Sequence, residues 1–268
     1  MPVLDQKILI LCKTYPSPSG RYAELSCVAG MLESGEFIRL FPVPFRHIAE
    51  EHQFRKWQWI DAKVEKARSD HRPESYSIKV ETIVPGATVP TKNEWAARRN
   101  LLSRLKLFSS FDDVRSHQAE TKSSIALLKP SRILGLDIEP VSEPDWTKDE
   151  IAKLEQAQKQ ASLFDEDNQS VRRLRKLPFD FYYRYECALP SGILSFRHKL
   201  VDWEVGALFW TCRKNYGNNW EEKFRNKLEV SIPSSDLMFL MGNQHRFQDQ
   251  WLLISLIYPP HAKQGLLL

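Results

Sequence analysis

One stretch constrains the fold more than any other: residues 7–46, KILILCKTYPSPSGRYAELSCVAGMLESGEFIRLFPVPFR. It holds three apolar runs of β-favouring composition, Lys7 to Thr14, Ala23 to Leu32 and Glu36 to Phe41. Pro-Ser-Pro-Ser-Gly separates the first two and a short Glu-Ser-Gly turn the last two. Proline presets φ and glycine admits φ > 0, so both breaks are turns for a stated reason. Residues 23–41 therefore read as an antiparallel hairpin. On its second strand Phe37, Arg39 and Phe41 alternate with Ile38 and Leu40, so one face is aliphatic and the other carries an arginine between two aromatics. That pattern suits a small barrel that buries the aliphatic face and offers Arg39 and its aromatic neighbours to a partner.

The pattern continues. His47 to Lys56 is expected to be a short helix, and WQWIDAKVEK (residues 57–66) and Ser75 to Ile83 to be two further strands. Five strands in some eighty residues predict a compact antiparallel barrel of the OB or SH3-like kind. Residues 92–107 place Trp95, Leu101, Leu102 and Leu105 on one helical face and Arg98, Arg99, Arg104 and Lys106 on the other. A second helix is expected over 111–120, and apolar β character returns from Ser124 to Val141. Thr147 and Glu150 stand at capping-box spacing and open another helix, to about Ala161. FDEDNQS (residues 164–170) is a polar linker. Strands follow at 179–188 and 194–203, helices at 204–214 and 220–228, and closing strands at 237–241 and 251–258. The expected fold is α+β, mainly antiparallel β, as two small OB-like or SH3-like barrels with helical insertions. The expected division is 1–141 for a basic first barrel, 142–175 for a helical connector and 176–268 for the second barrel.

Charge bears on partners. The net charge is +4, unevenly spread: residues 1–134 hold 21 Lys and Arg against 15 Asp and Glu, and residues 135–268 hold 17 against 19. A polyanion would meet the first half. Four cysteines without paired metal spacing, and no signal-peptide pattern, point to a cytoplasmic protein with reduced thiols. The longest apolar run, Trp251 to Tyr258, is too short to span a bilayer, so no membrane partner is expected. No P-loop, dinucleotide glycine motif, HExxH or nucleophile elbow is present, and no cofactor or metal is expected.

The recurrent local signal is a cation beside an aromatic: Arg21-Tyr22, Arg39 between Phe37 and Phe41, Arg55-Lys56-Trp57, and Arg184 between Tyr183 and Tyr185. Guanidinium groups neutralise phosphates and ring faces stack on bases; the alternative is aromatics in the barrel core and arginines solvated or paired. Candidate nucleic-acid contacts are Arg21, Tyr22, Arg39, Phe41, Arg46, Trp57 and Arg72. Arg172, Arg173 and Arg175, in the run Val171 to Lys176, would clamp a backbone across the two barrels, unless they only cap a helix end. Asp70 and Glu74, or Asp202 with Glu204, would serve a metal-dependent nuclease, the weaker alternative. A protein–protein scaffold is the other.

KTYPSPSGRYAELSCVAGMLESGEFIRLFPVPFR, KWQWIDAKVEK and SDHRPESY, followed by KLPFDFYYRYEC, HKLVDWEVGALFWTC, DLMFLMGN and WLLISLIYPP, together resemble uncharacterised bacterial proteins with a dual OB domain, associated with conflict and anti-phage defence systems. The resemblance spans nearly the whole chain. It implies two OB-like barrels and an accessory or sensor subunit that recruits an effector, the second barrel docking a protein partner; it carries over no catalytic residues. The function expected is non-catalytic nucleic-acid binding.

Overall fold

The structure is a computed structural model that describes residues 2–19, 23–152, 175–190 and 192–261. The three leading runs are strands β1 (Val3–Lys13), β3 (Ala23–Leu32) and β4 (Phe37–Val43), with a three-residue β2 (Ser17–Ser19) against β3. β5 (Gln58–Lys66) and β6 (Ser75–Ile78) follow, and β7 (Val84–Thr88) adds to the outer side of β5. β1 pairs with both β3 and β5, Ile8 facing Leu32 on one side and Ile60 on the other, which closes the sheet. β4 and β6 run parallel. Counted by the barrel's own five strands, the path is 1-2-3-5-4-1, a Greek-key barrel of OB type. Ile8, Ile10, Val28, Ile38, Leu40, Ile60 and Val64 fill it.

The second sheet repeats the path with a broken first strand. β8 (Leu107–Phe108), β9 (Ile125–Leu128) and β10 (Arg132–Pro140) precede β11 (Phe179–Leu189), β12 (Gly192–Leu200), β13 (Met238–Asn243) and β14 (Trp251–Ile257). The order is β10-β11-β12-β14-β13-β9-β8, with β12 and β14 parallel. β9 and β10, interrupted at Lys129-Pro130-Ser131, act as the two halves of strand 1, and the 1-2-3-5-4-1 path recurs. Its core is aromatic: Phe181, Tyr183, Tyr185, Phe209, Phe224 and Phe239 are all buried. Helices α1 (Lys92–Leu102) and α2 (Phe111–Thr121) precede β9, and α3 (Trp203–Tyr216), α4 (Trp220–Arg225) and a π-helical turn (Asn226–Ser231) link strands 3 and 4 of the second barrel. None of the helices described is long and apolar enough to cross a membrane.

Strand pairing moves the expected boundaries. Residues 107–140, assigned from sequence to the first barrel, belong to the second sheet, because β9 and β10 find their partners in β13 and β11. Residues 142–175 are then not a connector between barrels but part of the link between strands 1 and 2 of the second one. Its opening capping box forms: the Glu150 N–H donates to Thr147 Oγ1 at 3.2 Å and the Thr147 N–H to Glu150 Oε2 at 2.9 Å. The helix expected over 47–56 is instead two 3₁₀ turns, Phe45–His47 and Glu50–His52. Ile48 and Phe54 are both buried, yet six residues apart on an α-helix they would point to different sides; a more extended path turns both inward.

The barrels share a core. Leu9, Leu11, Ala29 and Met31, on the outer face of β1 and β3, pack with Ile125, Leu127, Met238, Leu240, Ile254 and Ile257 of the second sheet. The second barrel therefore covers the outside of the first.

Candidate nucleic-acid interface at the barrel junction

Three of the expected contact residues are interior. Arg39 does stand on the face opposite Ile38 and Leu40, but the partner it meets is the second barrel. Its Nη2 donates to Ser124 O at 2.8 Å and Ser124 Oγ at 3.0 Å, and its Nη1 to Cys27 Sγ at 3.2 Å. Arg72 grips Asp70 through Nε and Nη2, at 2.9 and 2.6 Å, and reaches Asn243 O and Oδ1 through Nη1 at 2.8 and 2.9 Å. Burial opposes the Asp70 charge, and the bonds from Arg72 outweigh it and hold that carboxyl well below its usual range. Trp57 is 4% exposed; its ring meets Trp95, with centroids 5.7 Å apart, and the Arg98 guanidinium at 4.7 Å. Arg98, expected in solvent, is buried and donates from Nε to Val89 O at 2.9 Å. Two indole faces and a carbonyl repay its desolvation.

Phe41 is 47% exposed and Arg46 half-buried. Arg21, Tyr22, Arg172 and Arg173 lie outside the described residues. The carboxylates considered for a nuclease are engaged in the seam. Glu74 Oε1 accepts from Ser124 Oγ at 2.8 Å. Asp202 caps α3 through the Glu204 N–H at 2.9 Å and accepts from Ser255 Oγ and the Leu256 N–H, both at 3.0 Å. Burial raises its pKa against the pull of Lys56. Glu204 takes Lys56 Nζ at 3.0 Å. Among the described residues no group of three His, Cys, Asp or Glu side chains is placed to hold a metal ion.

The outer face of β10, β11 and β12 is the open counterpart of the face that the first barrel buries. It carries Arg184, Arg197, Lys199 and Tyr182, with the Arg197 guanidinium 3.8 Å from the Tyr182 ring centre. Every one of these cations has a carboxylate beside it: Asp137 bridges Arg184 and Arg197 at 2.8 Å each, Glu139 also meets Arg197, and Asp180 holds Lys199 at 2.6 Å. A phosphate there would have to displace carboxylates already in place.

Among the described residues, a further concentration of cations and rings lies where the strand 1–2 connections of both barrels meet. Tyr15 leaves β1 and donates its N–H to Val201 O at 2.8 Å. Its ring lies against Gly206 of α3, where a Cβ would stand 2.2 Å from Tyr15 Cδ2. The Tyr15 hydroxyl accepts from Trp210 Nε1 at 3.0 Å and donates to Arg175 O at 2.8 Å. The Arg175 guanidinium lies 4.0 Å from the Trp210 ring centre. Lys176 Nζ stands 5.3 Å from the Trp146 ring and 3.2 Å from Glu150 Oε2. The Thr147 N–H, with Lys176 behind it, holds Glu150 below its usual pKa. Arg213 projects from the last turn of α3, where a cation also complements the helix dipole. Trp146, Arg175, Lys176, Trp210 and Arg213 line one open cleft of about 470 Å³, together with Pro144, Asp145, Ile151 and Pro178. With Asp145 in the lining and Glu150 paired to Lys176, the three cations leave an excess of one positive charge.

Residues 107–267 match the model of a domain of unknown function, DUF8757, and residues 4–104 that of a second one, DUF8758. The DUF8757 match covers more than half of the chain. The chain belongs to the DUF8757 family. The boundary between the two matches falls where strand pairing divides the barrels. No curated protein matches this DUF8757 chain. A solved structure of a replication protein A heterotrimer bound to ssDNA is similar over 98% of this chain and 67% of its own, at 10% identity and a TM-score of 0.28. A likeness of that size carries no weight for the site.

Of the residues singled out in the sequence, Arg175 and the end of its basic run, Lys176, line the cleft. Trp210, Trp146 and Arg213 were missed, as was Tyr15, which holds Trp210 and Arg175. Trp210 reads as part of the apolar face of VGALFWTC, and Tyr15 as a loop residue. Gly206 was the available signal: a glycine amid bulky apolar residues on a helix marks the close approach of something large.

Proposed function

We propose that the chain binds nucleic acid through this cleft of the second barrel, beside the junction with the first, with Arg175, Lys176 and Arg213 as phosphate contacts and the Trp146 and Trp210 rings as stacking surfaces. The observation that carries this reading is the stack of Arg175 on Trp210, held by a tyrosine from the other barrel. A cation fixed on an indole keeps one guanidinium face free for a base and its N–H groups for phosphate. The strand faces support it less, because one is buried and the other is neutralised by its own carboxylates.

The test is a salt series with labelled single-stranded and double-stranded DNA and RNA. The variant Lys176→Ala/Arg213→Ala should bind about ten-fold more weakly, with a log–log salt slope lower by about two, one for each phosphate that is no longer neutralised. Unchanged affinity and slope in this variant, folded by circular dichroism, would overturn the assignment. Absence of binding to every probe at low salt would favour a protein scaffold, whose contact would be the polar, ion-paired face of β10–β12. Recruitment of a defence effector rests on the resemblance to dual-OB proteins alone, and we hold it as part of the proposal.

A further inference from the structure

We infer that the cleft accepts one unpaired nucleotide, its base against the Arg175–Trp210 stack or the Trp146 ring and its phosphate toward Lys176 and Arg213; this rests on the nucleic-acid reading above. Its size is the first reason. At about 470 Å³ the cleft falls in the range of small-ligand sites, about 300–1,000 Å³, and holds one nucleotide rather than the width of a duplex. Its walls are the second. Trp146, Trp210 and the Arg175 guanidinium are planar groups, which bind the flat face of a base, and that face is hidden inside a stacked helix. The third is its fixed geometry: Trp210 Nε1 donates to the Tyr15 hydroxyl and that hydroxyl donates to Arg175 O, so the two residues that carry the stack are held in place before a base arrives. Polar selection comes from Lys176, Arg213 and Asp145, which share the lining. A fully paired duplex would have to unstack a base before it could enter, whereas a bulge or an overhang presents one without that cost.

Fluorescence anisotropy on the full chain tests this with three fluorescein-labelled DNA hairpins: blunt, bearing one bulged thymidine, and bearing an abasic residue at the bulge. The thymidine bulge is expected to bind about ten-fold more tightly than the blunt hairpin, and the abasic bulge to lose most of that gain, the loss expected for one stacked base. Trp146→Ala should bring the bulged hairpin to the level of the blunt one. Equal affinity for the three hairpins, with a normal salt dependence, would overturn the single-nucleotide site and leave the nucleic-acid reading standing. No binding to any of them, nor to a fifteen-residue oligothymidylate, would overturn both.

Discussion

Replacing Gly206 with alanine should destabilise the protein, and should stabilise it once Tyr15 is gone. Gly206 lies inside α3, where alanine is intrinsically better than glycine by about 1 kcal/mol. The added Cβ would stand 2.2 and 2.5 Å from Tyr15 Cδ2 and Cε2, where carbon atoms normally rest about 3.5–4.0 Å apart. Tyr15 has little room to yield, since its N–H is bonded to Val201 and its hydroxyl to both Trp210 and Arg175. Moving the ring breaks two hydrogen bonds, about 1–3 kcal/mol together, on top of about 1–3 kcal/mol of overpacking strain. Less the helix gain, the net loss is about 3 kcal/mol. In a Tyr15→Ala background the obstruction is absent and Gly206→Ala should return about 1 kcal/mol of stability. The coupling, about 4 kcal/mol, is read from urea unfolding of the four proteins in a double-mutant cycle. If Gly206→Ala had the same sign and size in both backgrounds, Tyr15 would not pack on α3 as described, and its hold on Trp210 and Arg175 would go with it.

The seam and the second core give two further tests. Arg72→Leu leaves Asp70 in the seam without its guanidinium and should cost about 3–5 kcal/mol; Asp70→Asn in the same chain should restore part of it, and a full loss that the second change does not touch would refute the pairing. His198 is half-buried beside Tyr185 Oη at 3.0 Å, and burial, then the Arg115 charge, lowers its pKa to about 4. Between about pH 6.5, its unfolded value, and about pH 4 the unfolded chain binds the extra proton, so stability rises with pH through this window and is lost on acidification, by about 3 kcal/mol across it. Urea midpoints at pH 7, 6 and 5 should fall for the natural chain and much less for His198→Gln; parallel curves would refute it.

The strands of the first barrel were legible because each carries its own alternation and its own turn: Ala23–Leu32 and Phe37–Val43 are nearly the runs read from composition. The separation of Arg39 from Ile38 and Leu40 was legible for the same reason. What the arginine faces was not, because a side chain that leaves its own barrel and enters another has the same local pattern as one that enters solvent. Arg98 and Trp57 fail in the same way, each covered by groups distant in the chain or on another element. The boundary at 107 was hidden by the same limit: an apolar run announces a strand, and only its partners announce the sheet. Trp210 and Tyr15 stand 195 positions apart, and no periodicity relates a helix of the second barrel to a loop of the first.

Covering the first barrel also explains where a ligand is left to bind. In an OB barrel the face of strands 2 and 3, with the loops between strands 1 and 2 and between strands 4 and 5, receives the ligand. In the first barrel that face carries Arg39, and the second of those loops carries Asp70, Arg72 and Glu74; both end on Ser124 or Asn243 of the other barrel. Buried charges of this kind add little net stability but penalise any other register, since a shift strands them without partners. The register they hold sets Thr14 against Asp202 and brings Tyr15 to Gly206. The first barrel, residues 1–106, holds 17 Lys and Arg against 12 Asp and Glu, and the rest of the chain 21 against 22. A basic barrel whose binding face is sealed contributes a long-range field and one hydroxyl, while the local cations and the rings come from the second. The second barrel lines the cleft, and the first holds two of its lining residues, Trp210 and Arg175, through the Tyr15 hydroxyl.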